Sequence, residues 1–461
     1  MQPLANLFPN ILPTALIGVG ALVTLASEPF LSRDRKHIIL PWIAALFLVL
    51  SALSLFWVVP GVAYGILAMD STRKILLLTL SICGLLGVSG MSTQLARQRF
   101  AGGEAYALML LSLAGSMLMV QSNDLLALFV GMELSAIPVY ALVGMQRRSL
   151  EASEGLFKYF VHGALFGAVF LYGAALWYGS TGSTNMGASL IAGREILSLV
   201  GFLLLALALF FKTGAAPLHF WVADTYTGAS ISVTGFMSTT VKIGALTGLS
   251  TLWLQASASN PLIAERGLYA ILIIGMASII IGAFSALGQT RARRMMAFSA
   301  VTNAGYLVLA LLVPGSAIWY FLVAYALASG LILAALASLT GSAEEDDNFA
   351  VLKGLARRQP ILGVIISFGL ISLAGLPPVA GFLAKFGVLA GLFGSGHMII
   401  ATFALIAAVV SFVYYFRLLT LLWQSGEDNG QRLSSPALLR FALLLGSVAL
   451  LAISILPGIV Q

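Results

Sequence analysis

Charge and cysteine are both scarce in this chain. Asp, Glu, Lys and Arg make up only 9% of its 461 residues, and hydrophobic residues make up 60%. Soluble domains carry about 25% charged residues, so this composition excludes a soluble protein and indicates an integral membrane protein. Cys83 is the only cysteine, which excludes internal disulfides and cysteine-ligated clusters. The sequence also has no phosphate-binding loop, dinucleotide glycine fingerprint or metal-ligand spacing, so we expect no cofactor and no metal in this chain.

Long apolar runs are what the sequence does contain. About 20 apolar residues cross the hydrocarbon layer as a helix, and such runs recur along the whole chain. We predict an all-α integral membrane protein with about fourteen transmembrane spans, at 11–28, 38–58, 74–93, 104–121, 124–146, 153–179, 196–226, 230–256, 267–289, 294–313, 316–340, 359–396, 398–424 and 436–459. Met1 to Ser32 contain no Lys or Arg, so a cleaved signal peptide is not expected.

The loops between these spans differ in charge. Loops 1–2, 3–4, 5–6, 9–10, 11–12 and 13–14 hold fifteen basic residues, whereas the opposite loops hold only Arg73, Lys74, Arg194 and Arg266. Because Lys and Arg prefer cytoplasmic loops, we predict that both termini face away from the cytoplasm. This distribution also accounts for the net charge of +7 without a nucleic-acid partner.

Five basic residues remain inside the predicted spans: Lys158, Lys212, Lys242, Lys385 and Arg417. Glu133, in GMELSAIPVYAL (131–142), is the only acid near the middle of a span. An ionised group at the bilayer centre costs at least about 2.5–3.5 kcal/mol. Arg417 is close enough to a span end for its guanidinium to reach the interface, and Lys158 is open to the same interpretation.

Lys212, Lys242 and Lys385 lie too deep in their spans to reach bulk water. One hypothesis is a structural ion pair with Glu133, but a single carboxylate cannot neutralise three ammonium groups. Desolvation disfavours the charged form of an amine, so buried lysines can load and release protons. The pattern therefore favours a second hypothesis, a proton relay. His162, four residues after Lys158, and His219 are secondary relay candidates, since a lone buried histidine is more often a packed core residue.

Two spans are interrupted by proline. Span 7 contains FKTGAAPLHFW (211–221) and span 12 contains GLPPVAGFLAKF (375–386). Proline breaks the helix, and such backbone is tolerated in a membrane only within protein or beside a wet cavity. Paired interruptions indicate inverted repeats, although two unrelated prolines are the alternative. We predict an N-terminal segment (1–100), two inverted five-helix units (101–257, spans 4–8, and 258–425, spans 9–13) and a C-terminal helix (426–461), with helices 7 and 12 discontinuous.

These motifs resemble a known family. Together with VKIGAL (241–246) and QTRARRMMAFSAVTNAGYL (289–307), they are similar to the antiporter-like subunits of respiratory complex I, NADH:quinone oxidoreductase, and especially to its N-type subunit, the counterpart of mitochondrial subunit 2. The resemblance implies a bacterial cytoplasmic membrane, neighbouring subunits M and K, and proton movement driven by quinone reduction in partner subunits. NADH, FMN, Fe–S clusters and quinone would all be bound elsewhere in that complex.

The resemblance also implies a role for each matching residue. Glu133 and Lys212 would form a glutamate–lysine pair, and Lys158 would be the bridging lysine on span 6. Lys242 would be the central lysine and Lys385 the exit-side residue. Alternative interpretations are an Mrp-type cation/proton antiporter subunit, a membrane-bound hydrogenase subunit, or a scaffold that only fills the membrane arm.

Three further features depart from the family or need interpretation. Ser230 stands where the family often has proline. Asn303 stands where histidine is frequent, so we expect Thr302, Asn303 and Tyr306 to hold a water chain instead. The acidic run EEDD (344–347) is interpreted as a solvated turn.

Overall fold

The computed structural model describes residues 2–63, 65–98, 102–146, 149–339, 347–425 and 436–460. Its helices are α1 (Gln2–Ser27), α2 (Arg33–Ser54), α3 (Ser71–Gln98), α4 (Gly103–Gln121), α5 (Leu125–Val143), α6 (Leu150–Thr181), α7 (Glu195–Thr213), α8 (Val222–Gly228), α9 (Ile231–Phe236), α10 (Lys242–Ser259), α11 (Pro261–Leu287), α12 (Ala292–Leu309), α13 (Ala317–Leu339), α14 (Phe349–Leu352), α15 (Leu355–Arg358), α16 (Pro360–Ala374), α17 (Ala380–Gly394), α18 (Met398–Trp423) and α19 (Ala437–Ile455). Residues Met237–Val241 form a π-helical turn between α9 and α10. The strands β1 (Gly61–Ala63) and β2 (Leu67–Met69) form a small antiparallel hairpin, an addition to the predicted helical fold.

The prediction of a helical membrane protein is confirmed. In the described part of the chain, twelve helices are long and apolar enough to cross a membrane. They correspond to every predicted span except 8 and 12. Span 8 is the continuous helical run 231–259, which includes the π-helical turn, and span 12 is divided into α16 and α17. The total of fourteen crossings and the inverted repeats remain predictions.

Both predicted helix interruptions are present. α7 is followed by Gly214 with φ +73°, and α16 is followed by Gly375 with φ +82°. Glycine adopts this left-handed conformation without the clash of a Cβ, so each glycine ends its helix. A Cβ on Gly375 would lie 2.9 Å from Cδ of Lys385, so glycine also leaves room for that side chain. The Ala216–Pro217 and Pro377–Pro378 peptide bonds after these glycines are cis.

Ser230, where the family often has proline, has a local structural role. It is the N-cap of α9, and its hydroxyl accepts a hydrogen bond from the Val233 N–H at 3.4 Å. Serine is among the preferred capping residues because its oxygen satisfies an otherwise unpaired donor in the first helical turn. The helix that leads to Lys242 therefore begins without a proline.

Amide side chains link several segments of the chain at one end of the bundle, which we call the hairpin face. Asn123 and Asn185 both donate to the carbonyl of Gly65, at 3.3 and 2.8 Å. Gln255 donates to the Asn123 side chain at 2.7 Å. These residues follow or end predicted spans 2, 4, 6 and 8, which successive membrane crossings would bring to the same side.

Glycines allow the backbones of neighbouring helices to touch. A Cβ on Gly115 of α4 would lie 2.3 Å from a backbone nitrogen of α5, and one on Gly173 of α6 would lie 2.9 Å from a backbone nitrogen of α7. A Cβ on Gly305 of α12 would lie 2.7 Å from a carbonyl oxygen of α11. Small residues permit this close approach between membrane helices. The pairs α4–α5, α6–α7 and α11–α12 therefore pack backbone against backbone.

Candidate functional site

Lys212 occupies the last turn of α7, immediately before the helix interruption. Its side chain is buried, with a relative exposure of 1%. The ammonium donates a hydrogen bond to the hydroxyl of Tyr140, at 3.3 Å, and lies 5.6 and 5.8 Å from the ring centres of Tyr140 and Tyr159. Aromatic ring faces attract cations, and the carboxyl end of a helix carries partial negative charge. Neutral groups thus supply the direct contacts of this ammonium.

Glu133, on α5, is half-buried and does not pair directly with Lys212. It takes part in none of the ion pairs between described residues. Among the described residues, its Oε1 atom is buried without a hydrogen-bond partner. Glu133 and Tyr140 are seven residues apart and thus on one face of α5, and Tyr140 contacts both Lys212 and the ring of Tyr159. The direct pair that the family resemblance implies is therefore not formed in this structure.

Lys158 differs from the deeper lysines. Its ammonium lies 2.5 Å from Glu154 and 2.6 Å from Asp224, and its side chain is 34% exposed. Asp224 also binds Arg294 at 3.2 Å. The lysine is only two turns from the start of α6, where two carboxylates reach it. The bridging role that the resemblance implies for Lys158 stays a prediction. Lys158 is a member of a partly exposed ion cluster.

Lys242 follows the π-helical turn and is 2% exposed. Its ammonium donates to the carbonyl oxygen of Ala300 on α12 at 2.6 Å and lies 5.5 Å from the ring centre of Tyr325 on α13. π-helical turns inside α-helices occur frequently at functional sites. No carboxylate pairs with Lys242 among the described residues.

Lys385, on α17, folds back onto the other half of its interrupted helix. Its ammonium donates to the carbonyl oxygens of Leu373 and Ala374, at 2.8 and 3.2 Å. These carbonyls lie in the last turn of α16, where no helical N–H donates a hydrogen bond to them, so the lysine ammonium supplies the donor. The ring centre of Tyr306 lies 5.6 Å from the ammonium. Lys385 is 5% exposed and, like Lys242, has no carboxylate partner in the described part of the chain.

Helix α12 contributes to the surroundings of both Lys242 and Lys385. Ala300 accepts the hydrogen bond of Lys242, and Tyr306 lies against Lys385. These two positions are six residues apart, or about 9 Å along the helix. Asn303 lies midway along the helix between them, about 60° around the axis from each, and its Oδ1 atom is buried without a hydrogen-bond partner among the described residues. The sequence suggested Asn303 and Tyr306 as polar residues of this region, but not that they lie between two lysines.

The two histidines contribute less clearly. A ring nitrogen of His162 lies 2.6 Å from the Lys158 carbonyl one turn earlier in α6, and the ring packs edge-on against Phe220, with 4.6 Å between ring centres. His219 lies between α7 and α8, two residues after Pro217. Neither histidine forms a hydrogen bond or ion pair with a buried lysine side chain in the described residues. Both remain secondary predictions.

Sequence analysis missed Tyr140, Tyr159 and Tyr325, and it expected Tyr306 only as part of a water chain. Tyr140, Tyr159, Tyr325 and Tyr306 each place a ring against one of the buried ammonium groups. Each also lies on a different helix from its lysine, so no local spacing in the sequence connects the two. The nearest signal was Tyr140 inside the GMELSAIPVYAL motif, seven residues after Glu133 and thus on the same helical face.

The end of the bundle opposite the hairpin, which we call the arginine face, is held by ion pairs. Arg293 binds Asp347 at 3.1 Å and donates to the carbonyls of Thr227 and Ala229, both at 2.8 Å. Arg291 lies 3.3 Å from Asp347 and 2.7 Å from Glu151. The described residues here belong to predicted loops 5–6, 7–8, 9–10 and 11–12.

Asp347 corrects one interpretation made from the sequence. Its side chain is 1% exposed, so the last residue of EEDD is buried rather than part of a solvated turn. Burial alone would raise the pKa of its carboxyl group, but the hydrogen bonds and charge of Arg293 outweigh burial and lower the pKa. The other three acids of this run, and Arg99, Arg147, Arg148 and Arg432 of the charge count, lie outside the described residues.

Arg417 lies where an interfacial arginine is expected. Its side chain is exposed, and it donates to the carbonyls of Leu287 and Gln289 at 3.2 and 3.3 Å. Leu287 is the last residue of α11 and Gln289 follows it, on the arginine face. Its guanidinium also lies 5.1 Å from the ring centre of Phe349. Arg417 therefore belongs to the surface rather than to the buried lysine series.

Comparison with known proteins gives consistent results. Residues 122–411 match the family described as NADH:quinone oxidoreductase/Mrp antiporter, transmembrane. NADH-quinone oxidoreductase subunit 14 of Thermus thermophilus is 35% identical over 416 residues, covering 90% of this chain and 91% of that protein. NADH-quinone oxidoreductase subunit N of Maricaulis maris is 30% identical over 428 residues, covering 91% and 88% of the two chains.

Solved structures show the same fold. A chain of respiratory complex I from Thermus thermophilus with bound aureothin superposes with a TM-score of 0.83 at 31% identity, covering 97% of both chains. A chain of the Mrp complex from Dietzia superposes with a TM-score of 0.83 at 20% identity, covering 98% of this chain and 95% of that one. The second likeness shows the fold alone. The family match and the identities above establish that this chain belongs to the NADH:quinone oxidoreductase/Mrp antiporter family of membrane proteins.

Proposed function

We propose that this chain is the N-type proton-translocating subunit of an NADH:quinone oxidoreductase. Glu133, Lys212, Lys242 and Lys385 would carry the protons. The observation that supports this most is that three ammonium groups are buried and that, among the described residues, their direct partners are carbonyls, a hydroxyl and aromatic rings. Desolvation opposes the charge on each amine while these dipoles favour it. A proton held by such a balance moves when a nearby charge changes.

Lys158 would serve the side from which protons are taken up. It is partly exposed, and it shares Asp224 with Arg294 near the arginine face, which carries most of the basic loops and is therefore the predicted cytoplasmic side. Carboxylates and a lysine at this position can collect protons from water and pass them inward. This assignment places Lys158 before the buried residues rather than between them, with His162 and His219 as secondary members.

Internal water would complete the route between Lys242 and Lys385. Among the described residues, the Oδ1 atom of Asn303 is buried without a hydrogen-bond partner, and the hydroxyl of Tyr415 lies 3.2 Å from the amide nitrogen of Asn303. An unsatisfied buried polar group costs about 1–3 kcal/mol, and buried water normally removes that cost when several such groups converge. Asn303 cannot itself carry a proton, so a hydrogen-bonded water chain along α12 is the proposed means of transfer.

The energy would come from partner subunits. We assign NADH, FMN, Fe–S clusters and quinone to other subunits of the complex, and propose that antiporter-like subunit M and small subunit K are the membrane-arm neighbours. The chain would lie in the bacterial cytoplasmic membrane with both termini on the non-cytoplasmic side. Its N-terminal segment (1–100) and C-terminal helix (426–461) would flank the two inverted five-helix units.

The test is proton transport by the assembled complex in inverted membrane vesicles, followed with a pH-sensitive dye during NADH oxidation. Lys242→Met and Lys385→Met are expected to remove most proton uptake while the amount of assembled complex is unchanged. Lys353→Met, which alters an exposed lysine outside the site, is the control. Normal proton uptake in both site variants would reject the relay.

A second measurement separates this proposal from an Mrp-type or hydrogenase-type function. Purification from native membranes is expected to yield several other hydrophobic subunits together with NADH:quinone reductase activity. Sodium binding normally needs several oxygen ligands, and the site offers one carboxylate, Glu133. A chain that purifies alone and exchanges sodium for protons in liposomes would support the antiporter function instead.

A further inference from the structure

Tyr140 controls the position of the Lys212 ammonium. In the described part of the chain, its hydroxyl is the hydrogen-bond partner of that ammonium, at 3.3 Å. Tyr140 is 6% exposed and Lys212 is 1% exposed. Bulk water therefore cannot take the place of either partner in this hydrogen bond. The place of the hydroxyl therefore determines where the ammonium lies.

Two glycines of α6 make room for polar groups of α5. A Cβ on Gly163 would lie 2.0 Å from the Tyr140 hydroxyl oxygen, and a Cβ on Gly167 would lie 3.1 Å from Oε1 of Glu133. We call this pair the glycine notch. No side chain other than hydrogen fits at position 163 while the hydroxyl stays in place. Tyr140 and Glu133 are two turns apart on one face of α5, so the notch accommodates both groups along a single stripe.

We propose that Tyr140 is the positioning residue of Lys212: its hydroxyl, seated in the glycine notch, accepts a hydrogen bond from the ammonium and holds it apart from the Glu133 carboxylate. The proposal rests on the proposed function. A direct bond to the carboxylate would retain the proton on Lys212 more strongly, because an opposite charge in contact with an amine favours its charged form, whereas a hydroxyl carries no net charge. Held by a hydroxyl, Lys212 remains able to pass its proton to the next carrier.

Tyr159 supplies a matched comparison within the same cluster. Its ring is nearly as far from the ammonium as that of Tyr140, at 5.8 against 5.6 Å, and the two rings meet edge to face at 4.8 Å. The Tyr159 hydroxyl, however, has no hydrogen-bond partner in the part of the chain that the structure describes. Tyr140→Phe and Tyr159→Phe both keep the rings, but only the first removes the acceptor of Lys212.

The experiment compares these two variants in the intact complex, as proton uptake by inverted vesicles during NADH oxidation between pH 6 and pH 9. Tyr140→Phe frees the ammonium to approach Glu133, so Lys212 releases its proton less readily. We expect proton uptake at neutral pH to fall about tenfold. We also expect the curve of proton uptake against pH to move to higher pH by about one unit, the equivalent of one hydrogen bond to a charged group. Tyr159→Phe is expected to change both by much less. Equal behaviour of the two variants, or a downward shift with Tyr140→Phe, would overturn the proposal.

Two further variants separate a folding defect from a failure of the proposed function. Gly163→Ala displaces the hydroxyl without altering Tyr140, so it is expected to shift the pH profile in the same direction as Tyr140→Phe, with the amount of assembled complex checked on native gels. Lys212→Met is measured in parallel. Normal pumping by Lys212→Met would reject the proposed function, whereas its loss together with equal Tyr140→Phe and Tyr159→Phe profiles would reject only the positioning role.

Discussion

Replacing Asp347 by alanine is expected to destabilise this subunit by about 3–5 kcal/mol, the usual effect of removing one partner from a buried ion pair. The carboxylate is 1% exposed and Arg293 is 6% exposed. Asp347 also accepts hydrogen bonds from the backbone N–H of Arg293, at 2.9 Å, and from Arg291, at 3.3 Å. Without the carboxylate, the buried Arg293 guanidinium loses the ion pair and the hydrogen bonds that Asp347 supplies.

Glu151 provides the control for this prediction. It binds Arg291 at 2.7 Å, shorter than the Arg291–Asp347 distance, but its side chain is 40% exposed. Water screens such a pair, so Glu151→Ala is expected to cost less than about 1 kcal/mol. If the separation of the charged atoms alone determined the effect, Glu151→Ala would be expected to destabilise the subunit more than Asp347→Ala does. The two variants therefore test whether burial or separation determines the contribution of these ion pairs.

The stabilisation by Asp347 also has a defined pH dependence. The pKa of its carboxyl group is lowered in the folded protein from its ordinary value of 3.8. A lowered pKa in the folded state means that the stabilisation is complete above the ordinary value and is lost as the pH falls through the folded value. The difference between the wild type and Asp347→Asn is therefore expected to be constant from pH 5 to pH 8.

The assay is the thermal midpoint at which this subunit dissociates or aggregates from the purified complex, measured at several pH values. Asp347→Ala is expected to lower the midpoint much more than Glu151→Ala does. Equal midpoints for these variants, or an Asp347→Asn difference that changes between pH 5 and pH 8, would refute the assignment of Asp347 as a buried, ionised partner of Arg293.

Two other substitutions test the packing and the surface assignment. Gly381→Ala is expected to prevent assembly of the complex, as judged on native gels, because its Cβ would lie 1.7 Å from the carbonyl oxygen of Ser372 in the other half of the interrupted helix. Gly394→Ala is the control, since its Cβ would have nothing within 4 Å. Equal assembly of the two variants would contradict this packing. Arg417→Gln is expected to leave proton uptake unchanged and to lower stability by less than about 1 kcal/mol, since exposed charge contacts contribute little; a loss of proton uptake would instead place Arg417 in the relay.

The depth of the lysines was predictable because it depends only on counting along a helix. Lys242 and Lys385 are far from both ends of apolar runs, so no folding of the chain can bring them to water at the membrane surface. The two helix interruptions were predictable for a related reason, since Gly214 and Gly375 each precede a proline by three residues. Such signals are local, and tertiary contacts do not override them.

The partners of these lysines were not predictable. Lys158 pairs with Asp224, which is 66 residues away in sequence, and depth alone does not distinguish a paired lysine from an unpaired one. The rings of Tyr325 and Tyr306 reach their lysines from other helices. Asp347 was misjudged because three neighbouring acids suggested exposure, whereas two arginines from the start of α12 and the residue before it enclose it. Each of these contacts depends on how helices pack, which one sequence does not specify.

The backbone contacts at Gly115, Gly173 and Gly305 restrict how this protein can move. Where two helices touch without intervening side chains, neither can rotate or slide without collision, so α4–α5, α6–α7 and α11–α12 behave as rigid bodies. Any rearrangement during a transport cycle then has to occur at the boundaries between these bodies, where rotamers can change. The α5–α6 boundary is such a place, and it is where Glu133 and Tyr140 meet the glycine notch.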